Sequence, residues 1–318
     1  MKPARYRLLP LATFLSLSVS ASTLQFGMDN DVLFKVDGDY SNGMFFGYSS
    51  SPSPLTSDSF LPLDPANGYQ TNWSASIAHK MWTPSDIEQT TPQKNERPYA
   101  GLLAVDSGIV ATNGTTAHQL GLLLGLVGPD SGAEDAQKRA HRLLGNAIPK
   151  GWDYQVKNKA IIDVSYEVDQ LFYRSGNTPY QNEFSGYGRV VAGNFQPELA
   201  AGVGWRWGKS LENSFNANSL RPYRQHAMAA DGLHGGWYLY GNLEARYRFD
   251  DLTITGSTLK PVPDVDMEKG QMTAASGVVY FYRQFGIGLS AVAYSKAFKQ
   301  DQDDWHFRNS LTFYWLFM

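Results

Sequence analysis

The chain has 318 residues, no cysteine and a formal net charge of −3. Disulfide frameworks and thiolate metal sites are therefore excluded, and so small a charge leaves no electrostatic footprint for nucleic acid. Aromatic residues make up 14% of the chain, with 18 Tyr, 8 Trp and 30 Gly, a mix that favours strands and amphipathic interfaces over helical bundles.

The chain opens like a secretory signal peptide. Lys2, Arg5 and Arg7 form a basic start, Leu8 to Val19 an apolar run, and Val19-Ser20-Ala21 a small-residue cleavage site. The run is shorter than the roughly 20 residues that span a bilayer as a helix. Residues 1–21 are thus read as a signal peptide and 22–318 as one mature domain. No later apolar run is long enough to cross a membrane as a helix, so any crossing falls to strands.

Period-two alternation then recurs in about twelve segments of roughly ten residues. They lie near 23–31, 42–51, 73–83, 100–112, 117–127, 160–173, 184–194, 198–208, 237–250, 271–283, 285–296 and 305–318. In the clearest, Trp237, Leu239, Leu243, Ala245, Tyr247 and Phe249 oppose Tyr240, Asn242, Glu244, Arg246 and Arg248. Ile162, Val164, Tyr166, Val168 and Phe172 likewise oppose Asp163, Ser165, Glu167 and Asp169, and Leu311, Phe313, Trp315 and Phe317 alternate almost to the terminal Met318. Charge on one face and aromatics on the other describe a polar lumen and a lipid-facing girdle. The expected fold is a twelve-stranded antiparallel transmembrane β-barrel. A soluble β-sandwich is the competing architecture, but its polar face meets bulk water and does not call for aromatics at both ends of its apolar face.

An even strand number puts both termini on the periplasmic side, so 32–41, 84–99 and 128–159 become outer connections. The connection 209–236 fits poorly, because parity makes it periplasmic, where turns are usually short.

The third outer connection holds the one clear amphipathic helix. Ser131 and Glu134 form an S-x-x-E capping box, and Gly145 supplies a C-cap. Gln137 and His141 stand four apart on one face, and Ala133, Ala136, Ala140 and Leu144 make a small-residue face suited to a barrel wall. Parity gathers Asn30, Asp31, Asp37, Asp39, Ser41, Arg97 and this helix on the same rim. Taken singly, Asn30-Asp31 reads as a turn opening, His141 as a solvated surface residue and Arg97 as a lumen or headgroup charge. Their convergence is what gives them functional weight. His118 follows an Asn113-Gly114 turn at the other end, and His79, His226, His234 and His306 have no partner cluster in the sequence.

The pieces MDNDVLF (28–34), DGDYSNGMFFGYS (37–49), ERPYAGLL (96–103), GLVGPDSGAEDAQKRAHRLLG (125–145) and GWDYQ (151–155) resemble, in order, the outer-membrane lipid A 3′-O-deacylase family. The resemblance covers most of the N-terminal half; the C-terminal half matches only as barrel strands. It implies calcium-dependent hydrolysis of the ester carrying the 3′ acyloxyacyl group of lipid A, at a site between the wall and a helix from an outer loop. By motif, it implies that Asn30 and Asp31 serve calcium and the active site and that Ser41 supplies a hydroxyl. It implies further that Gln137 and His141 are the helical pair, with His141 as general base, and that Arg97 contacts substrate. Some members carry an acid shortly after the helix, where this chain has Asn146 and Ala147. That departure leaves Asp29, Glu134 or Asp153 to complete the calcium ligands.

The residues suit such chemistry without the family. Ester hydrolysis needs a base for water and a stabiliser for the oxyanion. A neutral imidazole accepts a proton at physiological pH, and calcium takes hard oxygen ligands. No G-x-S-x-G elbow occurs, which favours a water nucleophile, although Ser41 keeps an acyl-enzyme open. Two rivals differ in class. An outer-membrane phospholipase would need a Ser placed by a His, and no His-x-Ser arrangement surrounds His141. A small porin or structural barrel would make the helix dispensable. The expected partners are lipopolysaccharide as substrate and outer-membrane lipid, and the expected state is a monomer.

Overall fold

The computed structural model describes residues 22–30, 39–59, 61–176, 179–215 and 235–317. The signal peptide expected over 1–21, together with Asp31 and Asp37, lies outside them. Strands β1 (Ser22–Asn30), β2 (Asp39–Ser49), β4 (Gln70–Thr83), β5 (Ala100–Thr112), β6 (Thr116–Val127), β7 (Lys159–Arg174) and β8 (Gln181–Gly193) form the first part of the wall. Strands β9 (Glu198–Lys209), β10 (Gly236–Arg248), β11 (Gly270–Tyr282), β12 (Phe285–Ser295) and β13 (Trp305–Phe317) complete it. A two-residue strand, β3 (Ser53–Pro54), only extends the edge of β4. Each wall strand pairs antiparallel with the next, β1 pairs with both β2 and β13, and β2 pairs with β4, so the sheet closes as a twelve-stranded barrel. Closure leaves no unpaired strand edge. No described helix is long and apolar enough to cross a membrane.

The alternation read from the sequence sets which way each side chain points. Leu103, Val105, Ile162, Val164, Leu199, Val203, Leu243, Phe313 and Trp315 are exposed on the outside. Glu167, Arg189, Glu198, Arg206, Glu244 and Arg248 are buried in the lumen. Charge in so confined a space requires partners. The Arg189 guanidinium donates to Glu167 at 3.1 Å and to Glu198 and Glu244 at 2.9 Å each, and Arg248 donates to Glu198 and Asp251 at 2.8 Å each. The lumen is packed with ion pairs at mid-height, as expected for a barrel this narrow.

Both ends of the lumen are also occupied. At the helix-bearing end, the short helix α2 (Leu252–Thr255) buries Leu252, Thr253 and Ile254 in the mouth, where Leu252 packs with Tyr40, Trp82, Leu102 and Phe195. At the other end the described start of the long connection after β9 enters the lumen. Residues 211–214 form a 3-10 turn that folds back inside. Leu211 packs with Tyr238, Val279, Phe281 and Tyr314. Arg206 holds the turn by donating to Leu211 O at 3.0 Å and Ser214 O at 2.8 Å. The connection thus begins as a plug rather than a turn; 216–234 lie outside the described residues.

Arg189→Met should take one cationic partner from each of three lumen carboxylates, although Glu198 keeps Arg248 and Glu244 keeps Arg246. Losing one partner from a buried pair costs about 3–5 kcal/mol, so the folded, fast-migrating band should convert to the unfolded band at a clearly lower temperature. An unchanged conversion temperature would mean that the network contributes nothing to stability.

Candidate functional site

Helix α1 (Ala133–Leu144) packs on the outside of the wall at its rim. The reason lies in a glycine. Gly101 belongs to the outward-facing set of β5, and a Cβ there would lie 2.2 Å from Ser131 Oγ and 2.4 Å from Ala133 Cβ. The small face expected to meet the wall does so through its first half only: Ala133 is buried with Met81, Tyr99 and Trp152, and Ala136 packs beside them. His79, one outward position below Met81, reaches Ser131 O at 3.0 Å through its Nε2. This histidine therefore anchors the turn that feeds the helix, a partnership the sequence did not reveal.

The helix ends as expected and begins differently. Gly145 caps it at φ 74°, with its N–H bonded to His141 O. At the start, Gly132 at φ 73° is the N-cap and has no side chain to offer; Ser131 Oγ accepts from the Ala133 N–H at 3.4 Å, one residue out of register for the expected S-x-x-E box. Pro129 draws residues 129–131 into a separate 3-10 turn. There Ser131 Oγ donates to Gly128 O at 2.6 Å, and Glu134 pairs with Lys138 at 2.5 Å instead.

Within α1, Gln137 is only 5% exposed. Its Oε1 accepts from the Trp152 indole N–H at 2.8 Å, and the Trp152 ring packs tilted against Tyr99 with centroids 4.9 Å apart. The amide oxygen is thereby taken, and the NH₂ is the end Gln137 offers to a ligand. His141 is half-exposed, and its Nδ1 lies 2.5 Å from Ala147 O. A carbonyl oxygen only accepts, so Nδ1 carries the proton and the neutral ring keeps its lone pair on Nε2. The backbone at the position where some relatives carry an acid thus orients the histidine.

Cross-strand register brings the other candidates to the same rim. Asn30 pairs with Asn42, Asn42 with Met81 and Met81 with Gly101, forming one row from β1 to the helix contact. Ser41 is the extra residue of a β-bulge between Tyr40 and Asn42, a device that re-aims a side chain at a strand end. Its hydroxyl hydrogen-bonds Thr83 Oγ1 at 2.6 Å.

Arg97 does not join this row. It is 3% exposed and lies in the lumen mouth, donating to Thr253 Oγ1 at 2.7 Å with its guanidinium over the Trp82 ring. There it lines a cavity of about 110 Å³ with Lys80, Arg246, Arg248 and Arg308. Asp29 also faces inward, accepting from Tyr40 at 2.9 Å and Ser310 at 2.6 Å. Asp153 is committed to Lys260, whose ammonium donates to it at 2.6 Å and holds the carboxyl below its ordinary range. Asp29 and Asp153 are therefore not assembled with the rim, and Glu134 is tied to Lys138. Among the described residues no group of three or more His, Asp or Glu side chains could hold a metal. The oxygens that meet at the rim, on Ser41 and Thr83, are neutral, and Asp31, expected to serve calcium, lies outside the described residues.

Tyr99, Gly101, Trp152 and Thr83 are the residues whose roles the sequence left unread. The first three stand inside quoted motifs, but nothing local says that they form a socket. Thr83 becomes visible only through the bulge that brings Ser41 to it.

The outer membrane protein LpxR family model matches residues 8–317. The solved structure of LpxR from Salmonella typhimurium superposes with a TM-score of 0.78 at 20% identity, over 93% of this chain and 100% of that one. The β domain of the Bordetella autotransporter BrkA aligns at TM-score 0.44 and 9% identity, over 93% and 98% of the two chains. Comparison with curated proteins finds none that matches.

Gly101→Val should loosen α1 without opening the barrel. Overpacking costs about 1–3 kcal/mol, so trypsin cleavage at Lys138, Arg139 and Arg142 should accelerate roughly tenfold or more while the heat-modifiable band persists. Unchanged cleavage would mean the helix does not depend on this contact.

Proposed function

The chain belongs to the LpxR family and is an outer-membrane β-barrel, and from that membership we propose that it is a lipid A 3′-O-deacylase. The observation that carries the chemistry is His141, held by the Ala147 carbonyl with Nε2 free, on a helix docked outside the wall. An ester in the outer leaflet reaches a barrel protein from that side. His141 Nε2 takes the proton of a water as it attacks the ester carbonyl, and the alcohol leaves on the sugar. The Gln137 NH₂ donates to the oxyanion that develops. The Ser41 hydroxyl, directed by the bulge and shared with Thr83, orients the attacking water. Nothing activates it as a nucleophile, since no imidazole is bonded to it among the described contacts.

Asp31 and Asn30 would hold a calcium ion beside this row. When bound, the ion supplies Lewis-acid stabilisation of the ester carbonyl. Arg97, buried on the lumen side, acts as a positioning residue: through Thr253 it joins the wall to α2 rather than meeting substrate directly. The porin reading finds no support in a lumen packed with ion pairs at mid-height. The phospholipase reading calls for a serine hydroxyl bonded to a histidine, and the described contacts at the rim include none; His79 meets only the backbone oxygen of Ser131.

His141→Ala should leave a heat-modifiable barrel and lower deacylation of purified lipid A by about 10²–10⁴-fold, the usual contribution of a general base. Mass spectrometry of lipid A and phospholipid from the same reaction reads both substrates. Full activity in the variant would remove His141 from the mechanism, and loss of acyl chains from phospholipid alone would replace the substrate. Chelation of calcium should silence the wild-type enzyme reversibly. The same treatment should change nothing further in Asp31→Asn, which should already be inactive; full activity in either case would overturn the calcium assignment.

A further inference from the structure

The apolar stripe of α1 is longer than the wall it rests on. Ala133, Gln137, Ala140 and Leu144 recur at helical spacing, with Ala136 and Leu143 on the adjoining row. The first two turns are packed: Ala133 and Gln137 are buried, and Ala136 sits against Met81, Tyr99 and Trp152. The last turn is not. Ala140 is exposed, and Leu143 and Leu144 are 87% and 73% exposed. No other large hydrophobic residue in the described chain stands as open as Leu143.

The direction of this overhang follows from the packed half. That half rests on the outward, lipid-facing side of β4 and β5, at Met81 and Gly101. The same strands below present Ile77, Leu103 and Val105, all exposed. One continuous face of a straight helix cannot turn toward water halfway, so its second half looks along the lipid side of the barrel. Arg139, one turn before Leu143, borders it and is exposed. Leucines beside cations are the composition of a helix lying in a bilayer interface, with its apolar face among acyl chains and its cations at anionic headgroups.

We infer that the last turn of α1 is a membrane-inserted element: Leu143 and Leu144 lie among the acyl chains of outer-leaflet lipid, with Arg139 at its phosphate-bearing headgroups. The occupant is lipid rather than a protein partner, because the stripe is continuous with the lipid-facing wall. This goes beyond the enzymatic reading and depends only on residence in the outer membrane.

The absence of cysteine makes the test direct. Single cysteines replacing Leu143, Val105 and Asp135 are labelled with a nitroxide, in barrels reconstituted in vesicles of phosphatidylethanolamine with phosphatidylglycerol. Collision rates with oxygen and with a water-soluble nickel chelate then report depth. The label at 143 should be oxygen-favoured like that at 105 on the wall, and the label at 135, on the opposite face of α1, nickel-favoured. A nickel-favoured label at 143 overturns the proposal. If Leu143→Cys fails to give a heat-modifiable barrel, Leu144→Cys is read against the same controls. The readout needs no turnover, so a chain inert toward lipid A would defeat the deacylase reading and leave this result standing.

Discussion

A strand wall in a bilayer has two faces with opposite requirements, and each residue of this protein is committed by the face it takes. The lumen face must pair every charge it buries, and Arg189, Arg206 and Arg248 do so with carboxylates from neighbouring strands. With α2 in one mouth and the 211–214 turn in the other, the interior is structural. Chemistry on a membrane lipid is left to the outward face. At the outer rim that face carries the polar pair Ser41 and Thr83, and α1 docks on the neighbouring positions of β4 and β5.

The docking of α1 therefore connects fold to function. A glycine in β5 admits the helix, His79 ties down the turn before it, and Trp152 returns from beyond the helix to hold Gln137. These contacts come from three separate stretches of chain, and together they fix the helix that carries Gln137 and His141 to Met81 and Gly101 of the strand row. His141 depends on them indirectly, since the Ala147 carbonyl that orients it lies in the segment leading to Trp152.

Strand alternation was legible because it is a local signal, repeated in every strand and enforced by the bilayer. All twelve wall strands fall within a few residues of their expected positions. The helix was legible for the same reason, through its 3.6-residue period and Gly145. What could not be read depends on contacts between distant segments. Ser131 offered a capping box, yet Pro129 and the positive φ of Gly132 divert it to Gly128 O. Arg97 shares a rim with His141 in the sequence, but in the connection before β5 its side chain turns into the lumen mouth to meet Thr253. In the long connection after β9, nothing local shows that its first residues fold back inside. The missing acid near Asn146 and Ala147 shows the converse: a departure visible in sequence is met by the backbone, whose carbonyl takes up the histidine.

The central claim is that His141 is a neutral base with its proton held on Nδ1 by Ala147 O. Nitrogen-15 NMR of histidine-labelled protein in micelles, with the His141 signals assigned by their loss in His141→Ala, reads this tautomer directly. The account predicts a protonated Nδ1 and an unprotonated Nε2 for the neutral ring. A neutral ring protonated on Nε2 would contradict it, because no lone pair would then remain on the nitrogen that must accept the proton from water.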